Sequence, residues 1–168
     1  MTNTHKNALK AAAGLWLVWG LVHFGAGTLS LSGSTQELVQ NIADAVPAET
    51  LAVDYPAAAG AILDQHAWNL AWFGVVAMVG AVLIWRKNRT AIWVTALVGG
   101  LADVGYLVFL DLGGYVNFVP GTVMTLFSAT AILLSGWVWL VTPGSKGQGM
   151  AVTTPRRPVA DYSETAPG

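Results

Sequence analysis

Four long apolar runs alternate with polar segments along this chain. The first extends from Ala11 to Thr28 and is broken only by His23. The second covers His66 to Trp85, the third Ala91 to Leu110, and the fourth Val119 to Val141. Each is close to the roughly 20 residues that an α-helix needs to cross a bilayer. The pattern predicts spans over 10–30, 66–86, 91–111 and 119–141. The second and third connections are short, which joins neighbouring helices antiparallel. The expected fold class is therefore all-α, an integral membrane four-helix bundle with up-down-up-down topology. The alternative for the first run is a cleaved signal peptide. Against it, the run is longer than a signal core, and its end, His23-Phe24-Gly25-Ala26-Gly27, makes a poor cleavage site.

The polar connection 31–65 carries helix signals of its own. Ser34-Thr35-Gln36-Glu37 has the Ser and Glu spacing of a capping box. Leu38, Val39, Ile42 and Val46 follow as an apolar stripe at helical spacing, and Pro47 should end it. This predicts a short amphipathic extramembrane helix between helices 1 and 2. Tyr55-Pro56 places Pro where a helix can start. From there the pattern runs through Ala57–Ala61 into the second span, so this helix should project by about two turns, with Asp64 and His66 near its membrane surface. Residues 143–168 are rich in Gly, Pro, Thr and Ser and read as a disordered cytoplasmic tail. The chain thus divides into a membrane domain, 1–142, and a tail, 143–168.

Composition sharpens the membrane reading. Of 168 residues, 54% are hydrophobic and 10% charged, where a soluble domain has about 25% charged. The charges are sorted by side. Lys6, Lys10, Arg86, Lys87, Arg89, Lys146, Arg156 and Arg157 all fall on one side of a four-span arrangement. Glu37, Asp44, Glu49, Asp54 and Asp64 fall in the opposite connection, which has no Lys or Arg. The positive-inside rule then puts both termini in the cytoplasm, in the plasma or inner membrane of the cell. Trp85, Trp93, Trp137 and Trp139 belong near the cytoplasmic interface, as an aromatic belt. The lipid bilayer is the expected surroundings. No nucleic-acid partner is expected, because no basic patch, phosphate loop or nucleophile elbow is present. There is no Cys, which removes disulfides and Cys-ligated clusters.

The candidate chemistry lies in the third run, Gly99-Gly100-Leu101-Ala102-Asp103-Val104-Gly105-Tyr106. An acid in a membrane span is costly unless it is paired or hydrated, and so marks a site. At 1.5 Å per residue, His23 and Asp103 both lie about 20 Å from the cytoplasmic edge. Asn69 comes out at about 25 Å and His66 at about 30 Å. Tyr106 sits one turn outward of Asp103. The expected arrangement is a polar column in the outer half of the bundle. His23 and Asp103 form its acid–base or catalytic pair, Asn69, Tyr106, His66 and Asp111 its ligand-binding residues, and Gly20, Gly27, Gly99 and Gly100 the space around it. A small lipid-soluble ligand, such as a quinone, sterol-like or isoprenoid molecule, would suit such a pocket. The competing reading makes His23 and Asp103 a structural pair that fixes helix packing, and Asp111 a simple interface residue. No metal is expected, because His23 and His66 differ in depth by about 10 Å, which also disfavours haem between two His. No motif names a cofactor. The other function class is a non-catalytic accessory subunit of a larger membrane complex or homo-oligomer, docking through outward-facing Trp68 and Trp72. Ion conduction ranks lowest, because the cytoplasmic half offers few polar side chains.

Overall fold

A computed structural model describes residues 1–142; the expected disordered tail, 143–168, lies outside the described residues. Among the described residues there are helices and turns but no strand. Four long helices build the bundle: α1 (Asn3–Ser30), α4 (Ala57–Trp85), α5 (Arg89–Tyr106) and α6 (Val123–Val141). Two short ones, α2 (Thr35–Ile42) and α3 (Ala48–Leu51), occupy the connection between α1 and α4. A π-helical turn, Leu107–Asp111, prolongs α5, and an irregular one, Phe118–Thr122, leads into α6 and is broken at Val119. With those turns included, all four segments are long and apolar enough to cross a membrane. The chain is a multi-pass membrane bundle. α1 packs on α4 and α6, and α5 packs on the same two helices.

The helix ends follow local chemistry. Ser34 and Glu37 form the full capping box, with the Ser34 backbone N–H donating to Glu37 Oε2 at 2.7 Å and the Glu37 N–H donating to Ser34 Oγ at 3.3 Å. α2 stops at Ile42, short of the expected Val46. Pro47 does not end it but precedes α3, a helical turn that the periodicity did not announce. Pro56 caps α4 from outside, and Pro120 lies in the irregular turn rather than at the head of α6. At the far end of α4, the Lys87 N–H donates to Ile84 O and the Asn88 N–H to Leu83 O, the pair of bonds of a Schellman motif. The Asn88 side chain then accepts from the Ala91 N–H and starts α5.

The α1–α4 contact is the closest in the bundle, and small residues make it so. A β-carbon added at Gly20 would lie 2.7 Å from Gly74 O, and one at Gly74 would lie 2.5 Å from Gly20 O and Phe24 N. At Gly27 it would meet the backbone of Ala67 and Ala71. Ala13, Gly20 and Gly27 recur every seven residues, as do Ala67, Gly74 and Ala81 on the antiparallel partner. Two such rows let backbones touch, which suits a bilayer where packing rather than water exclusion drives helix association.

The bundle centre is filled by Trp16 and Trp19, both fully buried and packed edge to face. The open space expected around the glycines is therefore absent. The Trp16 indole occupies the room beside Gly99, Ile132 occupies that beside Gly100, and α4 backbone covers Gly20 and Gly27.

The two ends differ. At the acidic end, Leu38 seats α2 and is 2% exposed. There the Asn117 N–H donates to Asp44 Oδ1 at 2.6 Å, Asn117 Nδ2 to Asp44 O at 2.9 Å, and the Ala45 N–H to Tyr115 O at 3.1 Å. This clasp ties the α1–α4 connection to the α5–α6 turn. At the basic end, Lys10 lies over the Trp85 ring and Arg89 over Trp139, which meets Trp93 edge to face. Arg89 also donates to Trp139 O at 3.0 Å and to Thr142 O, so it caps the end of α6.

Candidate functional site

Asp103 sits on the inner face of α5 and is 5% exposed. A carboxyl there needs donors, because an unsatisfied buried polar group costs about 1–3 kcal/mol. Its principal partner is Trp19 of α1, whose Nε1–H donates to Asp103 Oδ2 at 2.8 Å. From α6, the Ser128 hydroxyl lies beside the same carboxyl while donating to Thr125 O at 3.0 Å. One side chain thus joins three helices.

His23 completes the cluster. Its ring stacks on the Trp19 indole with centroids 3.6 Å apart and planes 17° from parallel. Residues four apart share a helix face, which is why these two rings overlap. His23 Nδ1 is 2.8 Å from Trp19 O. A carbonyl only accepts, so the proton of that bond is on Nδ1. In the neutral ring, Nε2 is then a free acceptor. Nε2 faces Asp103 Oδ1 at 4.0 Å, beyond hydrogen-bond length. The His23 side chain is 14% exposed, so this edge of the cluster is not sealed.

The other expected site residues do not join this cluster. Asn69 turns to its own helix and accepts from Trp72 Nε1 at 3.1 Å. His66 lies exposed near the acidic end of α4. Tyr106 packs its hydroxyl over Gly121, where a β-carbon would collide with it. Asp111 accepts from Thr122 Oγ at 2.6 Å and so links the two irregular turns, with Oδ2 buried and unpartnered. The expected column is therefore dispersed: of its six residues, only His23 and Asp103 come together.

Sequence reasoning did not single out Trp19 or Ser128 as neighbours of Asp103. A signal for Trp19 existed. Trp16, Trp19, Gly20, His23 and Gly27 form one stripe, and a Trp inside a stripe of small and polar residues points inward. Two surface grooves, of about 280 and 500 Å³, lie at the basic end and include neither His23 nor Asp103. Among the described residues no three His, Asp or Glu side chains gather as a metal-ligand set. No protein-family model, curated protein or solved structure matches this chain. The site is read from its own geometry.

Proposed function

We propose that this membrane protein holds a small lipid-soluble ligand through a hydroxyl group at the His23–Asp103 edge of the cluster. The observation that carries this reading is the unpartnered, partly exposed Nε2 of His23 facing Asp103 Oδ1 at 4.0 Å. A single oxygen atom bonded at about 2.8 Å to each would sit at an angle of about 90°, so one hydroxyl or water fits between them. His23 Nε2 accepts the proton of the ligand hydroxyl, and Asp103, as the neutral acid, donates its own proton to the same oxygen. Trp19 holds the ring by stacking and the carboxyl through its indole N–H. Quinols, sterol-like alcohols and isoprenoid alcohols have the required combination of apolar body and hydroxyl. The charge sorting supports a plasma or inner membrane location with both termini cytoplasmic, which puts the cluster in the half of the bundle away from the cytoplasm.

His23→Phe tests the reading. The ring still stacks on Trp19 but both nitrogens are gone. Protein purified in mild detergent and extracted for mass spectrometry should yield a hydroxyl-bearing small molecule from the wild type. The variant should lose it with its melting temperature held. An extract unchanged in the variant would sink the proposal.

A second reading, an accessory subunit of a larger membrane complex, is favoured by one feature. Trp68 and Trp72 are 61% and 40% exposed on the outward face of α4, and the Asn69 bond holds Trp72 in place. A bound partner that survives mild-detergent purification, and is lost in a Trp68→Ala, Trp72→Ala double variant, would establish it.

A further inference from the structure

The basic end of the bundle carries a second, unrelated feature. A groove of about 280 Å³ runs between α4 and α5, walled by Val75, Val79, Leu83 and Val94 and closed by Asn88 and Thr90. From Val75 to Leu83 it follows the helix for about 12 Å. On the other flank of α4, the groove of about 500 Å³ reaches Trp85 and Arg86. Both apolar surfaces therefore end at one turn, Arg86-Lys87-Asn88-Arg89.

That turn holds an oddity. Lys87 has φ 65, the only positive φ at a non-glycine position among the described residues. A side chain is unfavourable there, and glycine would close the same Schellman motif without the penalty. A residue kept in a strained conformation invites a functional explanation. The neighbouring cations are not equivalent. Arg89 is engaged by Trp139 and Thr142, and Lys10 by Trp85. Arg86 and Lys87 are exposed, and among the described residues neither meets a carboxylate.

We propose that this turn and the α4/α5 groove bind an anionic phospholipid. The phosphate head rests on Arg86 and Lys87, with Asn88 and Thr90 at the groove mouth as hydrogen-bonding groups. One acyl chain lies along Val75, Val79, Leu83 and Val94. Charge complementarity selects the occupant: two exposed cations beside an apolar channel favour a lipid with a net negative head over a zwitterionic one, whose own ammonium they repel. Neither His23 nor Asp103 lines this groove, and the site does not depend on their role.

The full chain, in detergent with equal amounts of dioleoyl phosphatidylglycerol and dioleoyl phosphatidylcholine, can be examined by native mass spectrometry. Phosphatidylglycerol should be retained preferentially. Arg86→Gln and Lys87→Gly should each lower the preference roughly fivefold. Lys6→Gln, at the same end but off both grooves, should leave it unchanged. Lys87→Gly is the informative variant, because it relieves the backbone while removing the charge. Its melting temperature should hold or rise as lipid preference falls. Val79→Phe, on an outward face, should reduce phosphatidylglycerol retention at an unchanged melting temperature. Equal retention of the two lipids by the wild type overturns the proposal. So does an equal drop in Lys6→Gln, or full retention in Val79→Phe.

Discussion

Asp103→Asn and Asp103→Leu separate the two contributions that this side chain makes. Asn keeps an oxygen to accept from Trp19 Nε1, so the fold should lose little. Leu leaves the buried indole N–H without an acceptor, at a cost of about 1–3 kcal/mol. Thermal unfolding followed by tryptophan emission should place the Leu variant well below the Asn variant. Equal midpoints would mean that the Trp19 bond contributes nothing. The proximity of His23 and Asp103 was legible, because rise per residue is fixed and both ends of the count are marked by charge. The Trp19 bond was not, because a stripe of small and polar residues turns the indole inward without naming the acceptor that its N–H meets on another helix. Glu37 shows the same contrast outside the membrane, where its role was fully written in the local sequence. The Ser34 backbone N–H, then the Ser34 hydroxyl, hold the Glu37 carboxyl below the ordinary glutamate range. Because the folded value is the lower one, the stabilisation is present above the unfolded pKa of about 4.3 and is lost as pH falls through the folded value. Amide exchange across residues 35–42 should therefore quicken in acid beyond its intrinsic trend. Glu37→Gln should remove that excess.

At the level of the helix pair, the α1–α4 seam depends on missing side chains. Gly27→Ala drives a β-carbon into the backbone of Ala67 and Ala71. Such overpacking forces backbone shifts worth about 1–3 kcal/mol. Gly14 lies on the same helix with nothing within 4 Å of its would-be β-carbon. Gly14→Ala should be neutral or gain up to about 1 kcal/mol from helix propensity. Detergent unfolding midpoints of the two variants should thus move in opposite directions or differ clearly, and matching losses would rule out the seam. The four spans were readable because length, apolarity and flanking charge all agree. The seam was half readable. Gly20 and Gly27 stood out as small residues on one face, but a glycine does not reveal whether a cavity or another backbone takes its place. Here the answer was backbone at Gly20 and Gly27 and the Trp16 ring at Gly99. The matching seven-residue rows on both helices were the clue. The expected spans 91–111 and 119–141 took in the turns at Leu107–Asp111 and Phe118–Thr122 but not their π-helical form, and the short α3 left no periodic trace.

Across the whole molecule, charge and aromatic placement give the bundle a direction. Lys6, Lys10, Arg86, Lys87 and Arg89 share one end with Trp85, Trp93, Trp137 and Trp139. Glu37, Asp44, Glu49, Asp54 and Asp64 share the other, where the Asp44–Asn117 clasp closes the connection over the bundle. Lys and Arg resist translocation far more than Asp and Glu, so the basic end should face the cytoplasm. The chain contains no Cys, so single cysteines can report sidedness without background. Ser32 and Thr4 are both exposed, at opposite ends of α1. In intact cells a membrane-impermeant maleimide should label Ser32→Cys and leave Thr4→Cys untouched until the membrane is permeabilised. The opposite pattern would invert the bundle. It would turn the His23 edge toward the cytoplasm and put the Arg86–Lys87 turn in the outer leaflet. Labelling of both positions in intact cells would break the even number of crossings on which the charge sorting rests. The Arg86–Lys87 turn closes the basic end of the bundle and the His23 edge lies deeper within it, so this one measurement also fixes which leaflet the turn meets and from which side the cluster is approached.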